Sequence, residues 1–318
     1  MATAADLAAL LSGRLTGDPS TDLRRVAPLA DAGPGDVAVL FETPRARLVR
    51  NQLQTCRASL LVCGDPMAFA GATLVVADPR RALVALIHAL QPAPAPAPGV
   101  HRSAVVEPGA VVGEGTSIGA LAFVDDGVVV GAGCRIGPGV RLLRGTVLGD
   151  GVWIGANSVL GERGFGYLPP NADGVRDPIP QIGGVRVDDG AHIGALCAID
   201  SGTLAATWIG AHARIDNLVQ VGHNARVRAG AVLCGQVGLA GSADVGEGAL
   251  LAGQAGVVDH RSVGDGAVLL AKSAAFRDVP PGAVYGGTPA RPRTQWLRER
   301  ATLSRLHRAG TEGSTDDS

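Results

Sequence analysis

The sequence predicts a mainly β protein: a parallel β-helix of hexapeptide repeats, preceded by a small α/β domain and followed by a C-terminal helix. Three observations predict it. Val, Ile or Leu recurs at every sixth position from Val100 to Leu160, resumes at Val187, Ile193 and Ile199, and continues from Ile209 to Leu269. Glycine is abundant at 46 residues, while aromatics make up only 3% of the chain. Before residue 100 the beat is absent, and strand-like apolar runs alternate with helical patterns. A period of six with a small or polar residue after each apolar one marks a solenoid of short strands and tight corners.

Residues 1–99 read as the α/β domain. Asp6–Leu11 has the spacing of a short amphipathic helix, and Asp36–Phe41 that of a strand. Arg45–Leu53 follows Pro44 as a helix. Ala58–Cys63 and Ala72–Ala77 read as buried strands, and Pro79 opens a helix to about Leu90. The proline-rich run 91–98 is an extended linker, because proline fixes φ and cannot join a strand ladder.

From Val100 to about residue 289 the repeat dominates. Each hexad supplies one short strand and a turn, and three hexads (roughly 18 residues) close one coil. The periodic residue points inward, and equivalent positions in neighbouring coils lie about 4.8 Å apart. Two interruptions must leave the prism as loops: one from Gly161 to about Gly184, and a shorter one between Ile199 and Ile209. Loops on a rigid scaffold are where binding groups concentrate. Residues 290–318 read as a helix from Thr294 to His307 and a disordered tail from Thr311 to Ser318.

Composition narrows the function. A formal net charge of −1 lacks the basic footprint of a nucleic-acid binder. Five scattered cysteines without CxxC spacing argue for neither a disulfide framework nor a zinc site, and suit a reducing cytoplasm. No signal peptide and no membrane span are expected.

The chemistry centres on His223. Asp216, Asn217, Gln220 and Asn224 crowd around it in sequence. An imidazole suits proton transfer near neutral pH. One coil further along lies Gly241, whose backbone N–H is the kind of donor that an oxyanion hole uses. His260 falls two coils from His223, roughly 10 Å away. That combination suits acyl transfer. His192 and His212 read as surface residues.

A set of motifs in order carries a resemblance. They are Gly164-Phe-Gly-Tyr167, Ile179-Pro-Gln181, Ile199-Asp200, Ile215-Asp-Asn-Leu-Val-Gln220, His223-Asn224, Ala240-Gly-Ser242 and Gly286-Gly-Thr-Pro-Ala290. Together they resemble the UDP-3-O-acylglucosamine N-acyltransferases of lipid A synthesis. The resemblance implies a left-handed β-helix assembled as a homotrimer, with active sites in clefts between subunits and no metal or organic cofactor. It implies transfer of a 3-hydroxyacyl chain from acyl carrier protein to the 2-amino group of a UDP-sugar acceptor. His223 matches the family's general base, His260 a second active-site histidine, and Gly241 the oxyanion donor. Phe165 and Tyr167 fall in a substrate-binding motif, and the arginines after Pro289 match candidate contacts for the carrier protein.

The N-terminal domain is implied to hold the uridine. Its aromatic-bearing run differs from the family's, with Val39 and Arg45 at the aromatic positions. A two-residue strand shift would bring Phe41 into place. Small residues at Ala274 and Ala275 suggest room for a longer or bulkier acyl chain.

The residues admit three other readings: a hexapeptide acyltransferase acting on another nucleotide-sugar amine or hydroxyl, a γ-class carbonic anhydrase, and a structural β-helix scaffold. The carbonic anhydrase needs three histidines converging on zinc, and His212 and His223 do not share a hexad position. A scaffold would be expected to have a featureless repeat.

Overall fold

The computed structural model describes residues 2–41, 52–92, 94 and 96–312, with side chains as far as residue 306. The chain divides into two compact units, Met1–Ala95 and Pro96–Ser318.

The first unit begins with helix α1, Ala4–Leu11, which starts where Thr3 and Asp6 cap one another. The Thr3 hydroxyl accepts the Asp6 N–H at 3.2 Å, and the Asp6 carboxylate accepts the Thr3 N–H at 2.8 Å. A five-stranded sheet runs in the order Arg14–Thr16, Ala72–Val75, Leu60–Cys63, Asp36–Val39, Arg25–Val26. The first pair is antiparallel and the others parallel. Helix α2, Pro79–Leu90, is capped by Asp78 and buries Ala82 and Leu86 in the same core as Leu60, Val62 and Leu74. The strand expected to reach Phe41 ends at Val39. Of the helix expected over Arg45–Leu53, Arg45 lies outside the described residues, and the helical segment described is 52–55.

The second unit is the β-helix. Its strands form three sheets, parallel throughout except where Arg291–Pro292 pairs antiparallel with Val284–Gly286 at the end of one, and they meet at turns so that each regular coil contributes one strand to each sheet. Pairing joins residues one coil apart, as in Gln220 with Gly238 and Val221 with Leu239. The inner ladder is closed to water: Ile215, Val221, Val227, Leu233 and Leu239 are each at most 4% exposed. Val100 was expected to point into this core but is 51% exposed. It stands in the first strand of the stack, where only one side has a neighbouring coil.

Corners need a left-handed backbone residue, and these recur in register. Asn224, Ser242 and His260 stack at one corner with φ of 60°, 60° and 56°. Both interruptions leave the prism as expected, and they meet. Strand Val159–Arg163 carries the chain out through a register shift, and Val185–Val187 returns it. The long loop folds back on itself, Leu168 N–H donating to Asp177 O and Ile179 N–H to Gly166 O, both at 2.9 Å. Ile182 N–H then donates to Thr203 O at 2.9 Å, and Gly183 N–H to Gly202 O at 2.7 Å, which ties the two insertions together. The final helix, α3, spans Arg293–Glu312. It therefore takes in Thr311 and Glu312, which the sequence reading assigned to a disordered tail. It also carries Gly310, at a propensity cost of about 1 kcal/mol relative to alanine.

If the inner ladder holds the prism together, Leu233→Ala should destabilise the protein by about 2–5 kcal/mol. Chemical denaturation would measure this, and a loss under about 0.5 kcal/mol would place Leu233 outside the tightly packed core.

Candidate active site

His223 follows strand Gln220–Val221 at the turn to the next sheet, where its side chain is half-buried. Two glycines hold its ring. A methyl built on Gly241 would come within 2.6 Å of His223 Nε2 and 2.7 Å of Cε1. One built on Gly164 would come within 2.7 Å of His223 Cβ and 3.2 Å of Cδ2. The imidazole thus occupies the space that side chains at 164 and 241 would fill. Register supplies Gly241, and the long loop supplies Gly164.

The tautomer follows from the neighbours. His223 Nδ1 lies 3.0 Å from Asn224 Oδ1. The Asn224 amide is oriented by groups with only one possible role: Thr203 N–H donates to Oδ1 at 3.1 Å, and Nδ2 donates to the Ala205 carbonyl at 3.3 Å. An oxygen facing Nδ1 requires Nδ1 to carry the proton, which leaves the lone pair on Nε2. Nε2 is the atom turned toward Gly241. The Gly241 N–H donates to no backbone carbonyl among the described residues, although neighbouring Ala240 and Ser242 both do.

A cavity of about 620 Å³ opens over this ring, lined by Arg163, Gly164, Phe165, Tyr167, Asp200, Gln220, His223, Gly241 and Asp259 among others. Arg163 donates to the Tyr167 hydroxyl at 3.1 Å and lies 5.7 Å from its ring centre. Phe165 meets Tyr167 edge to face at 5.1 Å and is itself 85% exposed.

The structure brings His223, Gly241, Gln220, Phe165 and Tyr167 together around the cavity. Asn224 supports the ring from behind. Asp216 and Asn217 lie at the opposite end of the same strand, at the preceding corner. There Asn217 Oδ1 accepts the Ala195 N–H at 2.7 Å and Asp216 accepts the Asn217 N–H at 2.7 Å. His260 is exposed and stacks beneath Ser242 and Asn224, one position round the corner from the His223–Gly241 stack. The residue in line with that stack is Asp259, which lines the cavity. Ala274 faces outward, but Ala275 is 1% exposed, one of the inner positions. Only one of the two small residues can therefore enlarge a surface groove. His212 belongs to another corner, over Gly190, and His192 packs against Trp153.

In the sequence Asp200 stands only as part of the Ile199-Asp200 motif, with nothing there to mark it as a site residue. It lies on the strand next to the one that leads to His223, and the pairing of Ile199 with Val221 brings it to the cavity. Burial pushes its carboxyl above the usual aspartate range. A hydrogen bond from Gln220 and the nearby His223 oppose the rise, and the Glu162 carboxylate adds to it. Arg163 and Asp259 were also missed. In the first unit, a cavity of about 470 Å³ is lined by Phe41, Asp65, Asp78 and Arg80 among others. No helix among the described residues is long and apolar enough to cross a membrane.

Residues 109–144 match the model of the bacterial transferase hexapeptide (six repeats). A protein of Verminephrobacter eiseniae (strain EF01-2) named UDP-3-O-acylglucosamine N-acyltransferase is 48% identical over 93% of this chain and 92% of its own length. One of the same name from Pseudomonas fluorescens (strain SBW25) is 41% identical over 95% of this chain and 90% of its own. Among solved structures, a UDP-N-acetylglucosamine acyltransferase from Campylobacter jejuni is 26% identical with a TM-score of 0.56, covering 66% of this chain and 82% of that one.

The raised Asp200 carboxyl has a consequence for stability. A folded-state pKa above the unfolded one gives stability that is full below the unfolded value and lost as pH rises through the folded value. Asp200→Asn is therefore expected to raise the thermal midpoint at neutral pH and leave it unchanged at about pH 3, below the ordinary aspartate value. Thermal scans at the two pH values measure this, and a lower midpoint at neutral pH would contradict it.

Proposed function

The chain belongs to the UDP-3-O-acylglucosamine N-acyltransferase family, and from that premise we propose that His223 is the general base of its acyl transfer. The protein is an acyltransferase that acylates the amino group of UDP-3-O-acylglucosamine in lipid A biosynthesis. The observation that carries the assignment is the Nε2 lone pair of His223, held over Gly241 by the Nδ1–H bond to Asn224.

In this reading the acceptor amine approaches Nε2 and attacks the acyl carbonyl. The carbonyl oxygen becomes an oxyanion that takes the Gly241 N–H. Collapse expels the thiol of the donor, and the proton held by His223 goes to the departing sulfur. Gly164 and Gly241 fix the plane of the ring, so the base needs little reorganisation as the amine arrives. Asn224 is a positioning residue, and His260 supports the site from one position round the corner. Asp216 and Asn217 contact the substrate from the neighbouring corner.

The donor in this proposal is a 3-hydroxyacyl chain on acyl carrier protein, for which exposed Arg293, Arg298, Arg300 and Arg305 offer a basic surface. The uridine binds the N-terminal domain (residues 1–99, with its linker at 91–98), against Phe41 in the 470 Å³ cavity. Arg45, which lies outside the described residues, is proposed as a further substrate contact. The β-helix domain (100–289) works as a cytoplasmic homotrimer with active sites in clefts between subunits. Val111, Val129 and Val147 support this: they form a ladder of exposed apolar side chains on one face, 38–59% exposed.

His223→Ala should lower kcat/KM by about 10²–10⁴ with an unchanged thermal midpoint, as expected on losing a general base. Acylation at the unaltered rate would reject the assignment.

A further inference from the structure

A base and an oxyanion donor serve a hydroxyl acceptor as well as an amine. The two nucleophiles differ in their hydrogens. When a hydroxyl attacks, its single proton goes to the base. When an amine attacks, one proton goes to the base and a second N–H remains, which in a half-buried site needs an acceptor.

The His223 cavity provides one. Strand pairing sets Ala198 beside Gln220 and Ile199 beside Val221, so Asp200 stands beside Gly222, the residue before His223. Neighbouring strands lie about 4.8 Å apart. Asp200 is half-buried and lines the same cavity as His223, as does Gln220 on the paired strand. Asp259, the other aspartate lining the cavity, is exposed and lies beyond Gly241 from the ring. Keeping a carboxylate half-buried beside the base disfavours its ionisation, and the base itself does not need it.

We infer that Asp200 is the specificity determinant for an amine acceptor, its carboxylate accepting the N–H that His223 does not take. This rests on the N-acyl transfer reading above. The amine lone pair forms the C–N bond while the carbonyl π pair moves to oxygen. One amine proton passes to His223 Nε2, and the other stays on nitrogen, hydrogen-bonded to Asp200. Collapse breaks the C–S bond, the sulfur leaves with its pair and takes the proton from His223, and the remaining N–H becomes that of the amide.

The test compares full-length unaltered protein with Asp200→Asn, using UDP-3-O-acylglucosamine as substrate and its 2-hydroxyl counterpart, UDP-3-O-acylglucose, as competitive inhibitor. The variant should lose on the order of 10²-fold in kcat/KM for the amine, while the inhibition constant of the hydroxyl compound changes less than about threefold. A kcat/KM within about threefold of the unaltered protein would overturn the inference, and so would equal losses in both constants, which a merely structural role would give. Failure of the unaltered protein to acylate the amine overturns the N-acyl transfer reading as well, so the two failures are distinguishable. The thermal midpoint of the variant, measured alongside, separates loss of the acceptor contact from unfolding.

Discussion

The constraint on which the structure depends is register. One inner side chain per hexad, sealed from water, keeps each coil directly over the last, so residues a coil apart share a place on the surface one strand spacing away. Nothing about the site is local in sequence. His223 is placed over Gly241 by the packing of Val221 on Leu239 inside the prism, and both inner residues are at most 2% exposed. A slip of one residue would turn the inner ladder outward and separate the ring from its glycine at the same time. Stability and chemistry therefore rest on the same interaction.

That explains which parts of the site could be read from the sequence. Counting coils is arithmetic while the repeat is unbroken, and it put Gly241 on the His223 face. The count fails across insertions. Asp200 precedes the short insertion, so its neighbour on the next strand is Gly222 rather than the residue a regular coil would give. Gly164 reaches the ring at the start of a loop whose path no periodicity encodes. Proximity in sequence misled in the opposite sense: Asp216 and Asn217 are close to His223 along the chain, but a whole strand separates the two corners. Two coils on from His223 the register gives Asp259, so His260 stands at the expected corner but one position round it. In the first unit three of the five sheet strands and α2 are legible from apolar runs and Pro79, with strand ends shifted by two residues, while the short strands Arg14–Thr16 and Arg25–Val26 carry no apolar run to mark them.

The two insertions serve one purpose. The long loop contributes Gly164, Phe165 and Tyr167 to the cavity, and its return segment is tied through Gln181, Ile182 and Gly183 to the short insertion. The short insertion carries Thr203 and Ala205, which orient the Asn224 amide. The tautomer of His223 is thus set by chain that lies outside the repeat, while its position is set by the repeat. A regular prism supplies the place, and the departures from regularity supply the proton inventory: a base with a free Nε2, and beside it a carboxylate kept partly from water.

The central claim is that His223 presents an unprotonated Nε2 because Asn224 holds the proton on Nδ1. Nitrogen-15 NMR of the neutral histidine ring tests this most directly. The account predicts a protonated Nδ1 and a bare Nε2 for His223. A protonated Nε2 with a bare Nδ1 would contradict it.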